Sequence, residues 1–254
     1  MIIDAHINLT RDGKWHHTAY DASVDRALRE MDSVGIPKAV VIPTAGKENR
    51  DFTLEIADRY ADRFVTGAMI NSLDNRELDE LRALLIGGNC RFLKIHPRTT
   101  GISPRNLELD PFLALAEEFN VPVLFCTYMR GPRLPMEDLA PLVFDEIARR
   151  RPNLTIVLCH AGSYRPLDAL AVAQSHANVY LDMSHVLEYF RGSSVEQDLF
   201  FILKRLDRKV IYGSDFPEYP IDGYLARAVG MGEQSGMRDI SGFFGQRATE
   251  LYRL

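Results

Sequence analysis

Cysteine is scarce in this 254-residue chain: Cys90, Cys126 and Cys159 are the only three. An odd, small number in a mid-sized chain excludes a disulfide framework and fits reduced thiols in a cytoplasmic protein. Long apolar runs are missing too, and none approaches the roughly 20 residues that span a bilayer. The first residues lack a basic segment followed by an apolar stretch and a small-residue cleavage site, so no signal peptide is expected. Basic charge is not in excess. Thirty Lys and Arg against 35 Asp and Glu leave a net charge of −5, which excludes a nucleic-acid-binding surface and a polybasic membrane anchor. There is no low-complexity segment, linker or short-period repeat, so residues 1–254 read as one domain.

What is present is alternation. Eight short apolar, β-prone runs recur along the chain: IIDAHIN (2–8), KAVVIPT (38–44), FVTGAMIN (64–71), RFLKIHP (91–97), VPVLFCT (121–127), LTIVLCH (154–160), NVYLDMS (178–184) and KVIYGSD (209–215). Helical spacing fills the gaps, as in DASVDRALREMDSVG, where Val24, Leu28 and Met31 share a face and Gly35 is a stop. Residues 220–240 read as one or two short helices over the barrel, and SGFFGQRATELYRL as a closing helix. Strand–helix alternation implies parallel pairing through right-handed crossovers. Eight units of about 30 residues predict an α/β fold, a single closed (β/α)8 TIM barrel. An open doubly wound sheet would carry a Gly-rich phosphate loop after the first strand, and DAHINLTRDGKW has none.

Chemistry in such a barrel sits at the C-terminal strand ends. The period of two puts Asp4, His6 and Asn8 on one face of the first strand, and Lys94 and His96 on one face of the fourth. The later ends carry Cys126 and Tyr128, then His160, then Asp182, Ser184 and His185, then Asp215. Any one of these has a plain structural reading: Asp215 can cap a helix, and Cys126 and Cys159 can be small core residues. Three histidines, an aspartate and a thiol converging on one barrel face point to a reaction centre. The loops beyond the strands hold Arg98, Arg130, Arg133 and Arg165, with Lys47 and Arg50 after the second strand. Arginine grips carboxylates in pairs of hydrogen bonds. The expected ligand is therefore a small anionic, carboxylated molecule, bound by Lys94, Arg98, Tyr128, Arg130 and Arg165.

Taken in order, IIDAHIN, RFLKIHP, VPVLFCT, LTIVLCHAG, VIYGSDFP and RATELYRL resemble the motifs of the amidohydrolase superfamily. The resemblance is to the amidohydrolase-related branch of aminocarboxymuconate semialdehyde decarboxylases and pyrone-dicarboxylate lactonases. It implies a mononuclear divalent metal held by a strand-one His pair, a strand-five His and the strand-eight Asp. Here His6, His160 and Asp215 match, Asn8 replaces the second His, and Cys126 replaces the strand-five His. A modified His6/Asn8/Cys126/Asp215 site favours zinc through its thiol and a harder ion through its amide, so a metal-free form is the stronger expectation. Asp215 is then the general base, with His160 and His96 polarising a carbonyl. A Cys126 nucleophile with His160 as base is a further alternative. The functional expectation is a hydrolase, of lactonase or amidohydrolase type. A metal-dependent hydrolase or non-oxidative decarboxylase, and an inactive barrel kept as a binding module or scaffold, remain alternatives, and a homo-oligomer stays open.

Overall fold

The computed structural model describes residues 1–130 and 133–254. Eight strands follow one another in sheet order as in sequence: β1 (Ile3–Ile7), β2 (Lys38–Val41), β3 (Phe64–Met69), β4 (Cys90–Ile95), β5 (Val123–Cys126), β6 (Ile156–Cys159), β7 (Val179–Asp182) and β8 (Val210–Ile211). Every neighbouring pair is parallel. The sheet closes because Ala5 N–H donates to Tyr212 O (3.1 Å), Asn8 N–H to Phe216 O (2.7 Å) and Asp215 N–H to His6 O (2.9 Å). The fold is the expected (β/α)8 barrel.

Helices follow the strands for local reasons. Ser23 accepts from Arg26 N–H at 3.3 Å and starts the helix Val24–Ser33, while Gly35, at φ 70°, lets the chain turn away. Asp74 starts Asn75–Ile86 by accepting from Glu77 N–H at 2.8 Å. Residues 220–240 form one long helix, Ile221–Ser235, where two short ones were admitted; Pro220 precedes it and Gly236, at φ 71°, ends it. The tail differs in detail: a wide turn over Gly242–Gln246 precedes the helix Arg247–Tyr252. No helix among the described residues is long and apolar enough to cross a membrane.

The strands alternate as the pattern requires. Ile3, Val40, Phe92, Leu124, Val157 and Ile211 fill the barrel interior, with Tyr252 against Phe92. Ala39, Val41, Phe64, Leu93, Phe125, Leu158 and Leu181 face the helices. Each fully buried large side chain contributes about 1.5–3 kcal/mol. β1 breaks the alternation, because its register against β2 shifts between Asp4 and Ile7. Asp4 consequently does not share the exposed face with His6 and Asn8. Its carboxylate accepts from Ser214 N–H (2.9 Å) and His6 N–H (3.2 Å) and braces β1 against the chain beyond β8. Burial pushes Asp4 up to about 6, against those hydrogen bonds.

Gly213 makes room for His6. A Cβ there would lie 2.6 Å from His6 Cβ and 3.0 Å from His6 N. Gly213→Ala should therefore destabilise the protein by about 1–3 kcal/mol through overpacking. Chemical denaturation followed by circular dichroism checks this, and an unchanged midpoint would contradict the close approach.

Candidate active site

His6 is fixed from behind. Its Nδ1 lies 2.5 Å from Asp182 Oδ2 at the end of β7, and Asp182 Oδ1 accepts from Ser184 N–H at 2.7 Å. Burial alone would lower the His6 pKa, but the Asp182 carboxylate outweighs it and raises the ring well above its usual value. The partner shifts oppositely: burial would raise Asp182, and His6 pulls it below the ordinary range. With Nδ1 engaged, His6 Nε2 points to Asp215 Oδ1 at 3.4 Å.

Asp215, His160 and His185 follow strand ends in the left-handed region, at φ 63°, 62° and 68°, a conformation that costs a non-glycine residue roughly 1–3 kcal/mol and clusters at functional sites. Asp215 Oδ1 accepts from Asn8 Nδ2 at 3.0 Å, and the same amide donates to Phe216 O at 3.0 Å. Two acceptors fix the amide, so Asn8 presents hydrogen, not an oxygen lone pair, to Asp215. Burial works against ionising Asp215, but His185, His160 and His6 hold its carboxyl far below the usual range. His160 Nδ1 lies 3.3 Å from Ser184 O and 3.0 Å from Ser184 Oγ. A carbonyl only accepts, so Nδ1 donates there and Nε2 is the ring nitrogen left for other partners.

Below this layer lie the thiols. Cys126 and Cys159 are register partners on β5 and β6. Burial raises the Cys126 thiol, but its hydrogen bond to His160 and the charges of Lys94 and Arg98 bring it down to about 6. Lys94 is buried, with Nζ 2.9 Å from Cys159 Sγ. Burial works against its ammonium, and the two thiols raise its pKa.

Above the layer opens a cleft of about 670 Å³. His6, Asn8, Lys94, His96, His160 and Asp215 reach it, as does Arg98. Burial and the charges of Lys94 and Arg98 hold His96 well below the usual imidazole value, so its ring is neutral. Arg98 lies over the Tyr128 ring at 5.3 Å and has no carboxylate partner among the described residues. Tyr128 is buried beside His160 and His185. Three of the expected anion binders, Tyr128 among them, are not on the lining of the cleft. Arg165 is paired with Asp168 (2.5 Å) and Glu137 (3.1 Å), and Arg130 is an exposed neighbour of Tyr128. Lys47 and Arg50 are likewise taken up by Glu80 and Glu77. Sequence reasoning gave no role to Asp182, Ser184, His185 or Glu218. The period of two in LDMS does put Asp182 and Ser184 on one face, and that was the available signal.

The donor set can hold a divalent ion, though not through the four positions expected. Ligand atoms of His6, His160 and Asp215 lie within 4.8 Å of one another. Two imidazoles and a carboxylate suit zinc, manganese or iron(II), and the Asp182 contact behind His6 is the outer-shell support such a ligand needs. Cys126 belongs to no such group among the described residues, and Asn8 offers the wrong end of its amide.

The family described as amidohydrolase matches residues 3–254. The chain belongs to that family. Its barrel is similar to an uncharacterised TIM-barrel protein from Bordetella bronchiseptica (17% identity, TM-score 0.81, 98% of this chain and 97% of that one). It is also similar to an amidohydrolase from Burkholderia multivorans with bound zinc (18%, 0.78, 100% and 99%). A third is 5-carboxyvanillate decarboxylase from Novosphingobium aromaticivorans, complexed with manganese and 4-hydroxy-3-methoxy-5-nitrobenzoic acid (16%, 0.73, 100% and 96%). No curated protein matches the chain at a significant level.

The His6–Asp182 contact makes a pH prediction for this amidohydrolase in its chelator-treated form. A raised histidine pKa stabilises the fold fully below the unfolded value of about 6.5, and the gain is lost as pH rises through the higher folded value. The His6 ring should therefore stay protonated above that unfolded value in a histidine NMR titration. Asp182→Asn should lower its midpoint, because the largest influence opposing burial is removed while Asp215 stays beside Nε2. An unmoved midpoint would mean that Asp182 does not hold the ring.

Proposed function

We propose that this amidohydrolase-family chain is a hydrolase of a small carboxylated substrate, with a divalent ion held by His6, His160 and Asp215. The observation that carries the reading is the pairing of this donor set with Arg98. Three converging donors lie in an open cleft, and a guanidinium free of carboxylates stands on its wall. Arg98 takes the substrate carboxylate, its plane kept in place by Tyr128. His96, whose ring is neutral, donates its one N–H to a carbonyl oxygen as charge develops there.

Magnitudes decide how water is activated. Taking a proton from free water onto even an unperturbed aspartate costs about 16 kcal/mol, from pKa values of about 15.7 and 3.9. Asp215 is a weaker base still, so a site that also acidifies the water suits it better than Asp215 acting alone. His6, His160 and Asp215 would hold a divalent ion, whose chemistry would be to lower the pKa of a water to about 7. Asp215 would then hold or pass the proton at its carboxylate, with Asn8 Nδ2–H fixing Oδ1. The metal-free reading favoured by the substitutions at Asn8 and Cys126 gives way here to the metal-dependent one.

A second reading, non-oxidative decarboxylation, draws on the likeness to 5-carboxyvanillate decarboxylase with its bound aromatic carboxylate. The two separate at Arg98. Lactones, amides and aromatic acids should be screened with the zinc- and manganese-loaded protein, scoring hydrolysis products against released carbon dioxide. If Arg98 grips a remote carboxylate, Arg98→Met should raise KM about 10- to 100-fold with little change in kcat, the loss of a charge-assisted contact of about 1.5–3 kcal/mol. If that carboxylate is the reacting group, kcat falls instead and carbon dioxide is the product. No turnover of any substrate class by the loaded protein would contradict both.

A further inference from the structure

We propose that Asp215 bridges two divalent cation sites, the second made of His185, the other Asp215 oxygen and Glu218. The first ion rests on the reading above, whereas the second site stands on its own residues. His185 Nδ1 lies 3.4 Å from Asp215 Oδ2 and 3.5 Å from Glu218 Oε2. Yet both ring nitrogens of His185 are buried without a hydrogen-bond partner, and the side chain is 6% exposed. A buried unpaired imidazole is costly, and a native fold normally satisfies it. An imidazolium bridging two carboxylates would align its N–H with one of them; here neither lies on the line of a hydrogen bond.

The separations suit an ion better. Ligands about 2.1 Å from a tetrahedral centre lie about 3.4 Å apart. Each donor is also pre-set. Trp15 Nε1–H donates to Glu218 Oε1 at 3.2 Å, leaving Oε2 for the site. Glu218 N–H donates to Asp215 O at 3.1 Å, holding the two carboxylates in one turn. The His185 ring stacks on Tyr189 at 4.8 Å and meets Tyr128 edge-on at 4.9 Å. On the opposite side, Asp215 Oδ1 faces His6 Nε2 at 3.4 Å. One carboxylate thus presents each oxygen to a different histidine, the arrangement of a bridging ligand. One nitrogen and two carboxylate oxygens suit manganese or zinc. Glu218 is more exposed than the other donors, so the second ion is the weaker of the two.

The test uses the full chain, stripped with chelator and titrated with manganese chloride. Bound metal is counted after equilibrium dialysis, and manganese paramagnetic resonance reports whether ions are coupled. Two equivalents per chain and a coupled signal are expected. Glu218→Gln, a half-exposed change that leaves the barrel intact, should bind one equivalent with an isolated signal. His6→Asn should lose the other equivalent and keep the Glu218-dependent one. One equivalent in the wild type, abolished by His6→Asn and untouched by Glu218→Gln, would overturn the second site and leave the proposed function standing. One equivalent abolished only by Glu218→Gln would support the second site and overturn the first. No bound ion in any of the proteins would overturn both.

Discussion

The seam between β1 and the chain beyond β8 governs this structure. Three backbone hydrogen bonds close the barrel there, from Ala5, Asn8 and Asp215, and the last two belong to residues of the cleft. Closing the sheet and bringing Asp215 to His6 are thus one event. Gly213 permits the close approach, and Asp4 ties the two segments from below. A barrel that failed to close would also lose its reaction centre. Site precision here is a by-product of strand pairing, not of separate loop contacts.

Two substitutions in the ligand set give this site its character. Asn8 does not imitate a histidine; it becomes a donor clamp on Asp215 and on the backbone at Phe216. Cys126 leaves the ligand layer and joins a deeper one, where Lys94 and Cys159 also sit. His160 stands with His6 and Asp215 in the donor group that Cys126 was expected to join. Three protein donors, in place of four, remain grouped closely enough to hold an ion.

Much of this was legible in the chain. Seven of the eight strands fall inside the runs read from β-prone composition, and β4 starts one residue before its run, at Cys90, because parallel strands buried on both faces are nearly continuous apolar segments. His6, Asn8, Lys94, His96, His160 and Asp215 were placed at one barrel end from topology alone, and they share the cleft. What was not legible depends on three-dimensional neighbours. The register shift in β1 turns Asp4 away, and a strict period of two cannot show it. The ion pairs that absorb Arg165 and Lys47 join residues from different segments of the chain, so loop position alone made them look free. Asp182 gained its meaning only through His6, 176 residues away in sequence. His185 lies one residue beyond the strand-seven run, where no strand periodicity applies.

The cleft also has two unequal sides. On one side Asp215 and Glu218 follow β8, and His160 follows β6. The opposite wall is built from residues 10–16, 42–49 and 94–99, after β1, β2 and β4. The two sides meet where Trp15 donates to Glu218, and they are built from different segments of the chain. Substrate preference can therefore drift by exchange of those three loops while the reacting groups stay in register. In evolutionary terms, the two halves of one barrel end are separately heritable: relatives with the same chemistry and different substrates are expected to diverge first in the segments after β1, β2 and β4.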